Sequence, residues 1–105
     1  MRVAICLVAS LLISGPRNQD PTGKGYVPPN GFVPDSGTAV RIAVAVWIPI
    51  YGASQIRSEQ PYRATLKDGV WTVSGTLPRQ YNQGGVAMAR ISKRDGRILF
   101  VLHGM

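Results

Sequence analysis

Chemically useful side chains are scarce here: one cysteine, one histidine and five carboxylates in 105 residues. The lone Cys6 has no partner for a disulfide within the chain, so the core alone must hold the fold. His103 has no second histidine and no nearby cysteine, which excludes the usual zinc ligand sets and leaves it a structural part of the last strand. The carboxylates Asp20, Asp35, Glu59, Asp68 and Asp95 fall in a linker, a helix cap, a helix end and two turns. Hydrolysis by paired carboxylates needs two that converge in a cleft. Asp68 and Asp95 each precede a glycine, where backbone geometry already explains them. Gly84-Gly85 lacks the strand-to-helix context of a phosphate loop and marks a strand entry. The chain therefore predicts no catalytic residue, no metal and no cofactor.

Long apolar runs are missing too. Val3 to Ile13 is apolar or small throughout, yet too short to span a bilayer as a helix. With Met1-Arg2 before it and Ser14-Gly15-Pro16 after it, residues 1–15 match a secretory signal peptide. Cys6 lies too early in that run for lipidation. The expectation is export to the periplasm, with no stable membrane anchor after cleavage.

Negative charge is in short supply. Twelve Lys and Arg against five Asp and Glu give a net charge of +7 and a pI near 10.4. Such an excess steers the protein toward an acidic partner or an anionic polymer without naming it. Nucleic acid is not expected. The aromatics Tyr26, Phe32, Trp47, Tyr51, Tyr62, Trp71, Tyr81 and Phe100 form no stripe interleaved with arginine.

What remains supports one globular domain, since 45% of the residues are apolar and mean hydropathy is +0.04. Residues 16–33 form an extended linker or arm, with turn formers first and then Tyr26-Val27-Pro28-Pro29-Asn30-Gly31-Phe32-Val33, extended by its prolines. Tyr26, Val27, Phe32 and Val33 are the residues able to dock this arm on the folded domain, which occupies 34–105.

The segment from Asp35 to Ile48 supports two readings. Val40, Ile42, Val44, Val46 and Ile48 alternate as in a strand. Asp35 or Ser36 as N-cap, three alanines and the length favour a helix, with Ala39, Ile42, Ala43, Val46 and Ile50 in one stripe. Pro49 is expected to end the element either way, with Ile50-Tyr51-Gly52 a corner and Ala53 to Glu59 a short polar helix. Strands follow. Tyr62, Ala64 and Leu66 alternate with Arg63, Thr65 and Lys67, giving a half-buried strand with a basic outer face. Asp68-Gly69 turns it into Val70 to Leu77, and Asp95-Gly96 joins Val86–Ser92 to Ile98–His103, both strong hairpin signals. Gly75 within its strand marks a bulge or bend. The last strand is apolar at nearly every position, a pattern that predicts a central or doubly covered strand.

Pro34-Asp35 before an alanine-rich segment, Pro49-Ile50-Tyr51-Gly52, Asp68-Gly69-Val70-Trp71-Thr72-Val73-Ser74-Gly75-Thr76-Leu77-Pro78, Gly84-Gly85-Val86-Ala87 and Ile91-Ser92-Lys93-Arg94-Asp95-Gly96-Arg97-Ile98 through His103-Gly104 resemble, in order, the NTF2-fold immunity protein family of bacteria, or YbbC/YhhH family. The resemblance covers about Val33 to Gly104. It implies an α+β, cystatin-like or NTF2-like fold, with one main helix at about 35–48 on a curved antiparallel sheet of about four strands, and so tips the ambiguous segment to helix. Ser36-Gly37 departs from the family's usual first turn.

The resemblance also implies a role: binding and neutralising a cognate secreted antibacterial toxin. Together with the export signal, it implies a toxin that acts in the envelope, met through an acidic face. The long loop with Arg79, Gln80, Tyr81 and Asn82 is the expected contact region, because interfaces favour Arg and Tyr and long loops carry function. The basic hairpin tip of Lys93, Arg94 and Arg97 is either a second contact or a solvated turn. The alternative is a non-catalytic envelope module that binds anionic wall polymers or lipid headgroups.

Overall fold

The computed structural model describes residues 25–79 and 84–104. The expected signal peptide, Cys6, Asp20 and the first part of the linker lie outside the described residues. From Gly25 onward the chain is an arm, a helix pair and a four-stranded meander.

Asp35 starts the main helix, α1 (Ser36–Tyr51). Its backbone is extended and its Oδ1 accepts from Thr38 N at 2.8 Å, which satisfies one of the unpaired N–H groups of a helix start. That hydrogen bond holds the Asp35 carboxyl below its ordinary value. The first turn thus forms despite Ser36-Gly37, and Asp35→Ala should lower the midpoint of urea unfolding. Pro49 does not end the helix. Its ring lies in the last turn, and the chain stays helical to Tyr51 before Gly52, at φ 94°, returns its N–H to Ile48 O at 2.8 Å. The buried stripe also differs from expectation, being Ala39, Ala43 and Trp47. Ile42 and Val46 are half-buried and Ile50 is 57% exposed. Two alanines let the helix approach the sheet closely, and Trp47 fills the space beyond them. The short helix α2 (Ala53–Arg57) follows.

Strands β1 (Arg63–Lys67), β2 (Val70–Ser74), β3 (Ala87–Ser92) and β4 (Ile98–His103) pair antiparallel in the order β1-β2-β3-β4. Asp68 and Gly69 both have positive φ, 49° and 77°, as a two-residue hairpin turn between right-twisted strands requires. The register defines two faces. The inner face carries the rows Ala64–Val73–Ala89–Val101 and Leu66–Trp71–Ile91–Ile98, with Ala87 beside His103. Helix α1 covers this face over β1 to β3. Trp47, Ile56, Trp71, Val73, Ala87, Ala89 and Ile91 are buried there with Val33, so both tryptophans are core.

Three expectations change. Strand β4 is neither central nor covered; it is an edge, with Ile98, Leu99, Phe100 and Leu102 exposed. Strand β2 stops at Ser74, and Leu66 lies 45% exposed at the end of the inner face. Of the four arm residues expected to dock, only Val33 is buried: its N–H donates to Lys93 O at 3.0 Å, and Trp71 Nε1 donates to its carbonyl at 2.8 Å. Tyr26, Val27 and Phe32 are half or more exposed.

Candidate functional site

Glu59 is the one fully buried charged residue among those described. It follows α2, where its N–H still bonds Ile56 O, and its carbonyl accepts from Thr76 N at 2.7 Å. Its carboxylate faces inward because three donors await it. Ala87 N reaches Oε1 at 2.7 Å, Gln55 Nε2 reaches Oε2 at 2.9 Å, and His103 Nε2 reaches Oε2 at 2.7 Å. The other ring nitrogen of His103, Nδ1, donates to Gly104 O at 2.9 Å. A backbone carbonyl and a carboxylate only accept, so both bonds are made when both ring nitrogens carry hydrogen, the imidazolium form. Tyr51 packs against that ring at 5.0 Å between centroids.

Gly75 shows how closely the carboxylate is enclosed. A Cβ there would lie 2.5 Å from Glu59 Oε1, so the glycine read in the sequence as a bend is a position that only glycine fits. Four segments thus meet at one carboxylate: the end of α2, the exit of β2, the start of β3 and the end of β4.

Burial pushes the Glu59 carboxyl up, but the hydrogen bonds from Ala87, Gln55 and His103, with the imidazolium charge, outweigh it and hold the group below 4.5. Burial also opposes the charge on His103, and its bonds to Glu59 and Gly104 reverse that and raise it above 6.5. The lowered carboxyl contributes stability fully above pH 4.5, and that contribution fades as pH falls through its folded value. The raised imidazole contributes fully below pH 6.5, and its share fades as pH rises through its own folded value. The stability gap between the wild type and His103→Gln should therefore be widest between pH 4.5 and 6.5 and shrink on either side, as read by thermal melts. Every donor and acceptor of the pair is spent on the protein itself. The pair ties the end of α2 to β3 and β4. No cluster of three potential metal ligands occurs among the described residues.

The residues expected to contact a partner are not brought together. Gln80, Tyr81 and Asn82 lie outside the described residues. Arg79 is exposed beside Ser58, Gln60, Pro61 and Thr76, at the end of the sheet where Glu59 sits. Lys93, Arg94 and Arg97 lie at the other end, separated from Arg79 by the length of β3, roughly 20 Å at the strand rise. Part of this tip is already engaged with the arm. Lys93 Nζ donates to Asn30 O at 2.5 Å, and the carbonyls of Lys93 and Arg94 accept from Val33 and Phe32. Arg94 and Arg97 keep their side chains exposed.

A feature not singled out in the sequence is the outer face of the sheet. Its rows are Arg63–Ser74–Met88–Leu102, Thr65–Thr72–Arg90–Phe100 and Lys67–Val70–Ser92. Between Arg90 and Ile91 the register shifts against β4, and Leu99 and Phe100 together line an open groove of about 580 Å³ with Lys67, Asp68, Val70, Thr72 and Arg90. The signal in the sequence is the apolar outer half of β4, a pattern that equally suits a buried strand.

Comparison with known proteins agrees with this architecture. Residues 38–105 match the family described as NTF2 fold immunity protein. A stretch of 54 residues is 41% identical to "Uncharacterized protein YhhH" of Escherichia coli (strain K12), covering 51% of this chain and 42% of that protein. The chain therefore spans less than half the length of that curated relative. No solved structure matches. With more than half of its residues matched and a helix laid on an open four-stranded antiparallel sheet, the chain belongs to the NTF2 fold immunity protein family.

Proposed function

We propose that this protein binds and neutralises a cognate secreted antibacterial toxin that acts in the cell envelope. The family match over residues 38–105 carries the reading. The signal-peptide pattern of residues 1–15 supports the compartment, because an exported inhibitor meets its toxin outside the cytoplasm. The surplus of seven positive charges supports an acidic toxin face, since opposite charge speeds encounter and fixes orientation. Inhibition is by occlusion: the protein covers the toxin's active centre and turns nothing over. The spent hydrogen bonds of Glu59 and His103 favour such a role over acid–base catalysis. Arg79 to Asn82 and the exposed Arg94 and Arg97 at the hairpin tip are contact candidates at the two ends of the sheet.

The cognate toxin is expected to be encoded in a neighbouring open reading frame, and the test is a titration of the purified protein into that purified toxin domain. A 1:1 complex that abolishes toxin activity is expected. Absence of binding would end the proposal. Binding to anionic wall polymer or vesicles instead, lost as salt is raised, would favour the envelope module.

A further inference from the structure

An antiparallel sheet with a helix on one face turns its other face to water, and alternation normally makes that face polar. Here the rule holds over β1, where Arg63, Thr65 and Lys67 point outward, is mixed over β2 and β3, where Ser74, Thr72, Arg90 and Ser92 share the face with apolar residues, and fails on β4. Val70, Met88, Phe100 and Leu102 occupy the same face, and the register shift in β4 adds Leu99. Phe100 and Leu102 are 44% and 43% exposed, and their strand is an edge that contains no lysine or proline and that no element among the described residues covers.

Charge is distributed around this patch in one sense. The Arg90 guanidinium sits 5.5 Å from the Phe100 ring centroid, a cation–π arrangement that holds both side chains in place. Arg63 and Lys67 flank it on β1. Among the described residues the one ion pair is His103–Glu59, and none of these three cations is paired with a described carboxylate. Asp68, at the corner of the groove, is the one carboxylate lining it. Asp35 caps the helix that covers the opposite face, and Asp95 accepts from Arg97 N within the hairpin tip. An apolar centre with a pre-positioned Arg–aromatic pair and a cationic flank has the make-up of an interface hot spot.

We propose that the outer face of the sheet, centred on Arg90 and Phe100, is the surface that docks the cognate toxin. The toxin face that fits it is apolar in the middle and carries carboxylates opposite Arg63, Lys67 and Arg90. This assignment rests on the immunity reading above and adds the surface. A second copy of the chain fits poorly. A two-fold contact would set this patch against itself and crowd six cations around two copies of Asp68. A bare polyanion would use the cations and leave the apolar centre wet. The outer face also joins the Arg79 end of the sheet to the Arg94 and Arg97 end. A typical interface, about 800 Å² per partner, reaches across it.

Calorimetric titration against the neighbouring-frame toxin domain tests this. Arg90→Glu and Phe100→Ser should each weaken binding about 30-fold or more, while Arg41→Glu, exposed on α1, should change it by less than about 3-fold. Thermal melts accompany each variant. Should either outer-face variant fail to fold, the exposed pair Arg63→Glu with Lys67→Glu takes its place and should weaken binding about 10-fold. A wild type that does not bind the toxin overturns the immunity reading and the surface with it. A wild type that binds, with outer-face variants that bind as tightly, overturns the surface alone. A wild-type dimer in sedimentation that Phe100→Ser dissociates would assign the face to a second copy and overturn the proposal.

Discussion

Glu59→Ala is expected to lower folding stability by about 3 kcal/mol, the scale for breaking a buried ion pair and leaving its partners unsatisfied. Ala87 N, Gln55 Nε2 and the His103 ring would all lose their acceptor at once. Because these groups come from three segments, α2, β3 and β4, the damage should not stay local. Glu59→Gln keeps the shape and one acceptor oxygen but removes the charge that holds His103 protonated, and should cost about half as much. His103→Gln, at a side chain 22% exposed, should cost less again. Urea denaturation of the three variants checks the order. A Glu59→Ala protein as stable as the wild type would contradict the tie.

Trp47→Ala should cost more, about 4 kcal/mol, the usual scale for emptying an aromatic site in a core. Trp47 is fully buried, its Nε1 donates to Met88 O at 3.3 Å, and its ring lies 5.8 Å from that of Tyr62. It is the one large side chain on the buried stripe of α1, since Ala39 and Ala43 complete that stripe. Nothing nearby on the helix can expand into the space. Small domains have about 5–15 kcal/mol in all, so the variant should sit at the edge of folding at 37 °C. Trp47→Phe, which keeps most of the volume, should lose about 1.5 kcal/mol. Melting temperatures of the pair give the comparison.

Local chemistry was legible in the chain. Asp68-Gly69 and Asp95-Gly96 announced their hairpins because a turn with positive φ leaves few alternatives. The Asp35 cap was readable for the same reason: one side chain meets one nearby N–H. What could not be read locally was set by distant partners. Whether 35–48 was strand or helix depended on which face Trp47 would bury, and the order of five family motifs decided it. The apolar run of β4 gave the wrong answer, because a strand covered on both faces and an edge strand with an adhesive outer face look alike in one dimension. Glu59 and His103 are 44 positions apart, and no spacing rule joins them. A lone histidine ending an apolar strand did point to a structural role. Gly75, read as a bend, was the trace of the carboxylate it accommodates. The expected contact residues were chosen by type and loop length, and those described fall at both ends of the sheet with the outer face between them.

Protection in separate compartments tests the central claim most directly. Cells carrying the neighbouring toxin domain directed to the periplasm would receive either the whole chain or a chain lacking residues 1–15. Survival with the whole chain and death with the shortened one is the predicted result, provided both proteins accumulate to equal levels. Equal killing in both cultures, or survival only when the inhibitor is kept in the cytoplasm, would contradict an envelope immunity protein.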